Sequence, residues 1–202
     1  MYSTMMMQHN LINHTSQLFT KQLVLDSLYD NKVEKFFIAR NPYDRIVSCY
    51  FNKLVENDIS SSLILQHCQK ILLPFFKIDS SELPEIEEEL KKISFSQFIS
   101  QLRFFYDLDD HYLPQYSLKL IPYFSVNHEE NEAALFSKFN IRILKMERDI
   151  VFLSNRLGLN MSIKVGRSDH KTYNNYYTSD LYEDINSIYE KDFKYFGYKM
   201  HN

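Results

Sequence analysis

Glycine is nearly missing from this sequence: there are three in 202 residues, and none before Gly158. No G-x-x-x-x-G-K-[ST] run exists to cradle phosphates, which counts against a P-loop kinase. Cysteine is almost as scarce. Cys49 and Cys68 make neither a disulfide framework nor a metal ligand set, so reduced, partly buried thiols are expected. No window reaches the roughly 18 apolar residues of a membrane span. The N-terminal run MYSTMMMQHNLI lacks the basic flank and the apolar stretch of a secretory leader. A soluble, cytoplasmic protein without a transmembrane segment is the expectation. Basic charge is not in excess either: 23 Lys and Arg against 26 Asp and Glu leave a net charge of −3. That gives no general drive toward nucleic acid or an anionic membrane, so an anion must be met by a local basic site. Tryptophan is absent, yet aromatic residues make up 15% and hydrophobic residues 45%. This is an ordinary globular balance with unusual ring content, long enough for one domain, 1–202, with a real core.

What is present centres on residues 33–54, VEKFFIARNPYDRIVSCYFNKL. The short apolar run Phe36-Phe37-Ile38-Ala39 suits a strand covered on both faces, as in a parallel α/β sheet. Asn41 then reads as an N-cap, Pro42 as the first helical residue, and Asp44 as a first-turn acid. Ile46, Val47, Tyr50, Phe51, Leu54 and Val55 follow at the spacing of one buried helical stripe, with Arg45, Ser48 and Asn52 on the other side. A strand ending in Arg40 before the positive end of a helix is a ready anion site. Arg40 brings a forked cation matched to phosphate oxygens, and Ser48 can add a hydroxyl.

Elsewhere the pattern is helical. Residues 8–30 read as one helix ending at Asp30-Asn31, and residues 57–77 as another ending at Pro74. Residues 79–92 read as a solvated, charged helical face. Ser94 and Gln97 match a capping box ahead of the stripe Phe95, Phe98, Ile99, Leu102, Phe105, Tyr106. The loop DLDDHYLPQYS then gathers Asp107, Asp109, Asp110 and His111. It has no glycine for a calcium turn and no second histidine at ligand spacing, so no metal is expected. Ile141–Met146 is a second strand, followed by a helix with Ile150, Val151, Leu153 and Leu157 that Gly158 closes in a left-handed cap. Lys164, Gly166, Arg167, His170 and Lys171 form a basic loop. A last helix spans Ser179–Tyr195.

The string Arg40-Asn41-Pro42-Tyr43-Asp44-Arg45-Ile46-Val47-Ser48-Cys49-Tyr50 closely resembles the 3′-phosphate-binding segment of sulfotransferases that use 3′-phosphoadenosine 5′-phosphosulfate (PAPS), the carbohydrate sulfotransferase branch most of all. Asp109, His111, Pro114 and Gln115 match a second segment of that branch, Asp-x-His-x-x-Pro-Gln, and IYEKDFKYFGY is similar to its C-terminal helix. The resemblance covers roughly residues 33–198. It implies an α/β fold, a parallel sheet flanked by helices of the P-loop NTPase-like sulfotransferase kind, here helix-rich. It implies that Arg40 and Ser48 hold the 3′-phosphate of PAPS, with Arg167 and Lys171 as further cofactor-binding candidates from a late basic loop. It makes His14 the candidate base and His111 a second candidate that structures the pocket.

One element of the resembled family is not found: the Lys/Gly/Ser loop that cradles the 5′-phosphosulfate. Lys21, Lys32 and Lys35 stand in helix-like or strand-like contexts. Tyr2-Ser3-Thr4 offers only a remnant of such a loop's end. The expectation is therefore an N-terminally incomplete domain, with a second copy or a partner segment completing the sheet. Two functions follow from the resemblance: sulfuryl transfer to a carbohydrate hydroxyl, or a non-catalytic remnant that binds nucleotide or a protein partner.

Overall fold

A computed structural model describes residues 26–56, 66–117, 136–158 and 170–202. In chain order these form β1 (Lys35–Ala39), α1 (Pro42–Tyr50), α2 (Leu73–Phe76), α3 (Leu83–Lys92), α4 (Phe95–Phe105), β2 (Ile141–Lys145), α5 (Met146–Leu157), α6 (Ser179–Ile188) and α7 (Glu190–Phe196). The chain divides into two compact units, each built from two stretches: Met1–Asn41 with Gln115–Ser162, and Pro42–Pro114 with Ile163–Asn202. Among the described residues no helix is long and apolar enough to cross a membrane.

The first unit carries the sheet. β1 and β2 pair in parallel, with Lys35 opposite Ile141 and Ala39 opposite Lys145. Both strands stand where the apolar runs place them. Burial along β1 alternates, however: Phe37 and Ala39 are buried, while Phe36 and Ile38 are half-buried. Successive side chains point to opposite faces. Phe37 meets the buried ring of Phe136 edge-on at 5.1 Å. Phe36 meets Phe152 at 6.3 Å, a ring itself 42% exposed, so its face is less well sealed than continuous apolarity suggests. α5 leaves β2 without an interval. Asp149 turns back to accept the Lys145 N–H at 2.9 Å, and Gly158, with φ of 64°, closes the helix. Val151, expected in the apolar stripe, is exposed, and Leu153 is the side chain that is buried. Only the end of the helix expected over 8–30 is described, a turn over 26–29 that stops at Asp30, whose carboxylate accepts the Lys32 N–H.

The second unit is helical and aromatic. α1 starts at Pro42, where the missing N–H leaves no hydrogen bond unmade, and runs on as a wider π-helical turn, Phe51–Val55. Tyr43 is fully buried among Tyr173, Tyr177, Tyr182, Phe193 and His201. Its hydroxyl donates to Asn186 and accepts the His201 N–H. This cluster shows where the high ring content goes: the rings fill core volume while tyrosine hydroxyls find partners, as that of Tyr177 does in donating to the Tyr43 carbonyl. α4 buries Phe98, Ile99, Leu102 and Phe105 and is entered through the capping box, with Ser94 and Gln97 bonded reciprocally. α3 turns Ile86 and Leu90 inward and leaves its glutamates outside, paired as Lys91–Glu87 and Lys92–Glu89.

Two helix boundaries differ from expectation. Residues after His67 pass through a π-helical turn, Cys68–Leu72, into α2, which continues past Pro74 to Phe76 because proline sits at its first turn and demands no backbone bond there. Lys77, left-handed at φ of 55°, makes the actual stop. The expected helix 179–195 is two helices, α6 and α7, broken at Tyr189 with φ of −112°. The break lets the fully buried Tyr189 hydroxyl donate to the Tyr112 carbonyl at 2.6 Å while Arg45 lies over its ring.

Candidate active site

Arg40 follows the last ladder residue of β1, so its main-chain groups have left the strand pairing. They are not left open. Arg40 N–H donates to Gln115 Oε1 at 2.9 Å, and Gln115 Nε2 donates back to the Arg40 carbonyl at 2.7 Å. The amide thus pairs with the residue as a neighbouring strand would, and it does so from a buried position. The next N–H, of Asn41, donates to Glu147 Oε1 at 2.6 Å, at the start of α5. Two side chains distant in sequence therefore fix the backbone at the turn. The sequence places Gln115 in a motif but gives no sign of what it holds.

Ser48 lies in α1 and, contrary to its expected place on the outer side, is buried. What covers it is the end of the basic loop. Ser48 Oγ is 2.7 Å from His170 Nε2, and His170 Nδ1 is 2.7 Å from the Lys171 carbonyl. A carbonyl only accepts, so Nδ1 carries the proton and Nε2 takes the Ser48 hydroxyl's in the neutral ring. Phe51 lies against the imidazole at 5.6 Å. Lys171 is exposed, and its N–H donates to the Tyr176 hydroxyl. Ser48, His170 and Lys171 are thereby brought together. Arg167 and His14 lie outside the described residues.

The third cluster contains His111. Asp109 Oδ1 accepts both the His111 N–H at 2.8 Å and the ring Nδ1–H at 2.5 Å. Its other oxygen is 3.1 Å from Nδ1 of His67, whose Nε2 is 2.9 Å from the Tyr112 hydroxyl. Tyr112 is fully buried and its hydroxyl needs an acceptor, which assigns the chain of donors: Tyr112 to His67, His67 to Asp109. Burial works against the Asp109 charge, but hydrogen bonds from His111 and His67 outweigh it and hold the carboxyl well below its usual range. Burial pushes His67 down, only partly offset by Asp109, and the nearby Lys53 cation acts in the same direction as burial. The loop itself is held from α1: Arg45 donates to the carbonyls of His111 and Leu113, at 3.2 and 2.8 Å, and Cys49 donates to that of His111.

His67 is the second histidine that the spacing of the loop does not reveal; it stands 42 residues before Asp109. Ligand atoms of His67, Asp109 and His111 lie within 4.8 Å of one another, a donor set that suits a transition metal. Both Nδ1 atoms are nonetheless committed to Asp109, so the arrangement is a hydrogen-bonded relay in which an ion would have to displace the bonds that hold the loop. Its chemical product is an oriented imidazole. Nδ1 of His111 is fixed as a donor, Nε2 has no partner among the described residues, and the side chain is 36% exposed. An imidazole held in this way can accept a proton at Nε2.

A model of the sulfotransferase family matches residues 2–199. The chain belongs to the sulfotransferase family. No curated protein and no solved structure matches it. The match extends the likeness from the segments legible by eye to almost the whole chain, and makes the chain a member of a transferase family whose fold is P-loop-like α/β. The parallel β1–β2 pair, followed in each case by a helix, agrees with that fold. In this sulfotransferase chain the two motif segments are each tied down by groups outside themselves: Arg40 by Gln115, and the His111 loop by Arg45 and His67.

Proposed function

We propose that the chain transfers a sulfuryl group from PAPS to a hydroxyl, with carbohydrate as the acceptor class. The acceptor oxygen forms the new bond to sulfur, the bond from sulfur to the phosphate oxygen breaks, and the acceptor's proton passes to a base. Adenosine 3′,5′-bisphosphate leaves. As in phosphoryl transfer, positioning and charge stabilisation do most of the work. Arg40 and Ser48 are assigned to the 3′-phosphate, with Arg167 and Lys171 as cations of the basic loop, and His14 and His111 as the candidates for the base. The observation that carries the nucleotide assignment is the turn from β1 into α1. In chain order, the string that resembles the family's phosphate-binding segment begins one residue after β1 ends and continues into a helix that starts at Pro42, and the first N–H groups of a helix can bind an anion. The pairing of Ser48 with His170, beside Lys171, supports a role for the basic loop at that hydroxyl.

Calorimetry with adenosine 3′,5′-bisphosphate and adenosine 5′-phosphate tests this. Tighter binding of the bisphosphate is expected, and equal affinity would contradict 3′-phosphate recognition. A second reading is nucleotide binding without transfer. Labelled PAPS with a panel of glycans separates the two, since only the first reading yields labelled sugar.

A further inference from the structure

We infer that Gln115 is a positioning residue for the nucleotide's 3′-phosphate, acting through the main chain of Arg40; this rests on the assignment of Arg40 above. The strand pairing of β1 with β2 ends at Ala39 and Lys145. Arg40 lies one residue beyond that ladder, where the way its peptide groups are held bears on its Cα–Cβ direction. Gln115 pairs with both peptide groups of Arg40, accepting from the N–H at 2.9 Å and donating to the C=O at 2.7 Å. The amide does this with two separate atoms, an oxygen that accepts and a nitrogen that donates. A carboxylate accepts without donating, and an ammonium donates without accepting. Gln115 is 6% exposed, so water competes poorly for these bonds. The adjoining Asn41 N–H is held in the same way by Glu147. The turn is thus ordered before a ligand arrives, and a ligand that uses Arg40 does not have to supply that ordering. The inference also explains why the Asp-x-His-x-x-Pro-Gln segment ends in glutamine, since that amide holds the first residue of the phosphate-binding string.

The test compares Gln115→Met, close in length but with no amide, and Gln115→Glu, which keeps the acceptor and loses the donor. Calorimetry on the full chain with adenosine 3′,5′-bisphosphate and adenosine 5′-phosphate reads the ratio of the two affinities. Gln115→Met should lose about tenfold for the bisphosphate and little for the monophosphate, with Gln115→Glu losing less. In an Arg40→Ala background, Gln115→Met should leave the ratio unchanged, because the group it positions is gone. A merely structural role would lower both affinities together, or shift thermal stability without moving the ratio, and either result overturns the inference. A wild-type chain that prefers the bisphosphate, beside a Gln115→Met chain that keeps the whole preference, overturns the positioning role alone. A wild-type chain that does not distinguish the nucleotides overturns the 3′-phosphate assignment and this role with it.

Discussion

Arg40 and His111 are held in opposite ways. In the sheet-bearing unit, Arg40 is gripped by its backbone through the neutral amide of Gln115. In the helical unit, His111 is gripped by its ring through the charged carboxylate of Asp109, itself fixed by His67. A backbone grip leaves the side chain's chemistry untouched and is indifferent to pH. A side-chain grip sets the tautomer and therefore the chemistry, but it depends on the charge state of two neighbours. The turn at Arg40 should then behave as a rigid fixture, and the histidine loop as a titrating one.

The sharpest break of this comparison is removal of the shared acceptor. Asp109→Ala leaves His111 and the buried His67 without the oxygen to which each donates, and it should destabilise the chain by about 3 kcal/mol. Urea unfolding measures this. Asp109→Asn should cost less, because one amide oxygen can still accept from one imidazole. Equal losses for both variants would show that charge, and not acceptor count, holds the loop.

On the other side of the comparison, Arg40→Ala should weaken binding of adenosine 3′,5′-bisphosphate by about thirtyfold, and Ser48→Ala by about fivefold. The first deletes a charge-assisted pair and the second a single neutral hydrogen bond. The grip of Gln115 should itself survive in Arg40→Ala, since alanine retains both peptide groups. A large drop in stability would mean that the Arg40 side chain serves the fold.

These residues also show which parts of the molecule the sequence discloses. Both strands, the parallel α/β class, the start of α1, the capping box at Ser94 and Gln97 and the stop at Gly158 are set by neighbours within a few positions, and each is legible. The break at Tyr189 is not, because it is made by the distant Tyr112 carbonyl and Arg45. Nor is the place of Ser48, since the helical stripe tells which residues are apolar and not which polar one a loop will cover. His67 lies in a stretch whose local pattern says only helix. Its link to Asp109 exists in three dimensions alone. Gln115 is intermediate: its motif is visible, but its partner is a backbone, which no side-chain pattern reports.

The pH contrast follows from His67. Its folded pKa is lowered, by burial first. Below about 6.5, the ordinary histidine value, the unfolded chain takes up a proton that the folded site refuses, so stability falls as pH drops. The contribution is fully present above that value and is lost as pH falls toward the folded pKa. Asp109, depressed in the fold, acts in the same direction but only from about pH 4 downward. His67→Gln should therefore flatten the fall between about pH 7 and 5 by roughly 1 kcal/mol, read from melting temperatures across that window. Gln115→Met should leave the slope of the window unaltered, and a change there would erase the distinction between the two grips.

The smallest effect tests whether the backbone grip is indeed independent of charge. Glu147 accepts the Asn41 N–H from an exposed position beside the Arg40 turn. Glu147→Gln keeps an acceptor oxygen and removes one negative charge near the place assigned to a dianion. If only the hydrogen bond matters to the turn, stability should change by less than about 0.5 kcal/mol. Affinity for adenosine 3′,5′-bisphosphate should rise, by about twofold at low salt, because a repulsion is gone. The rise should shrink as salt is added, since the charge is exposed and screened within about 10 Å at 0.1 M ionic strength. Calorimetry at two ionic strengths reads both quantities. A fall in affinity at low salt would mean that the carboxylate orders the turn through its charge, and the contrast between a neutral grip on Arg40 and a charged grip on His111 would no longer hold.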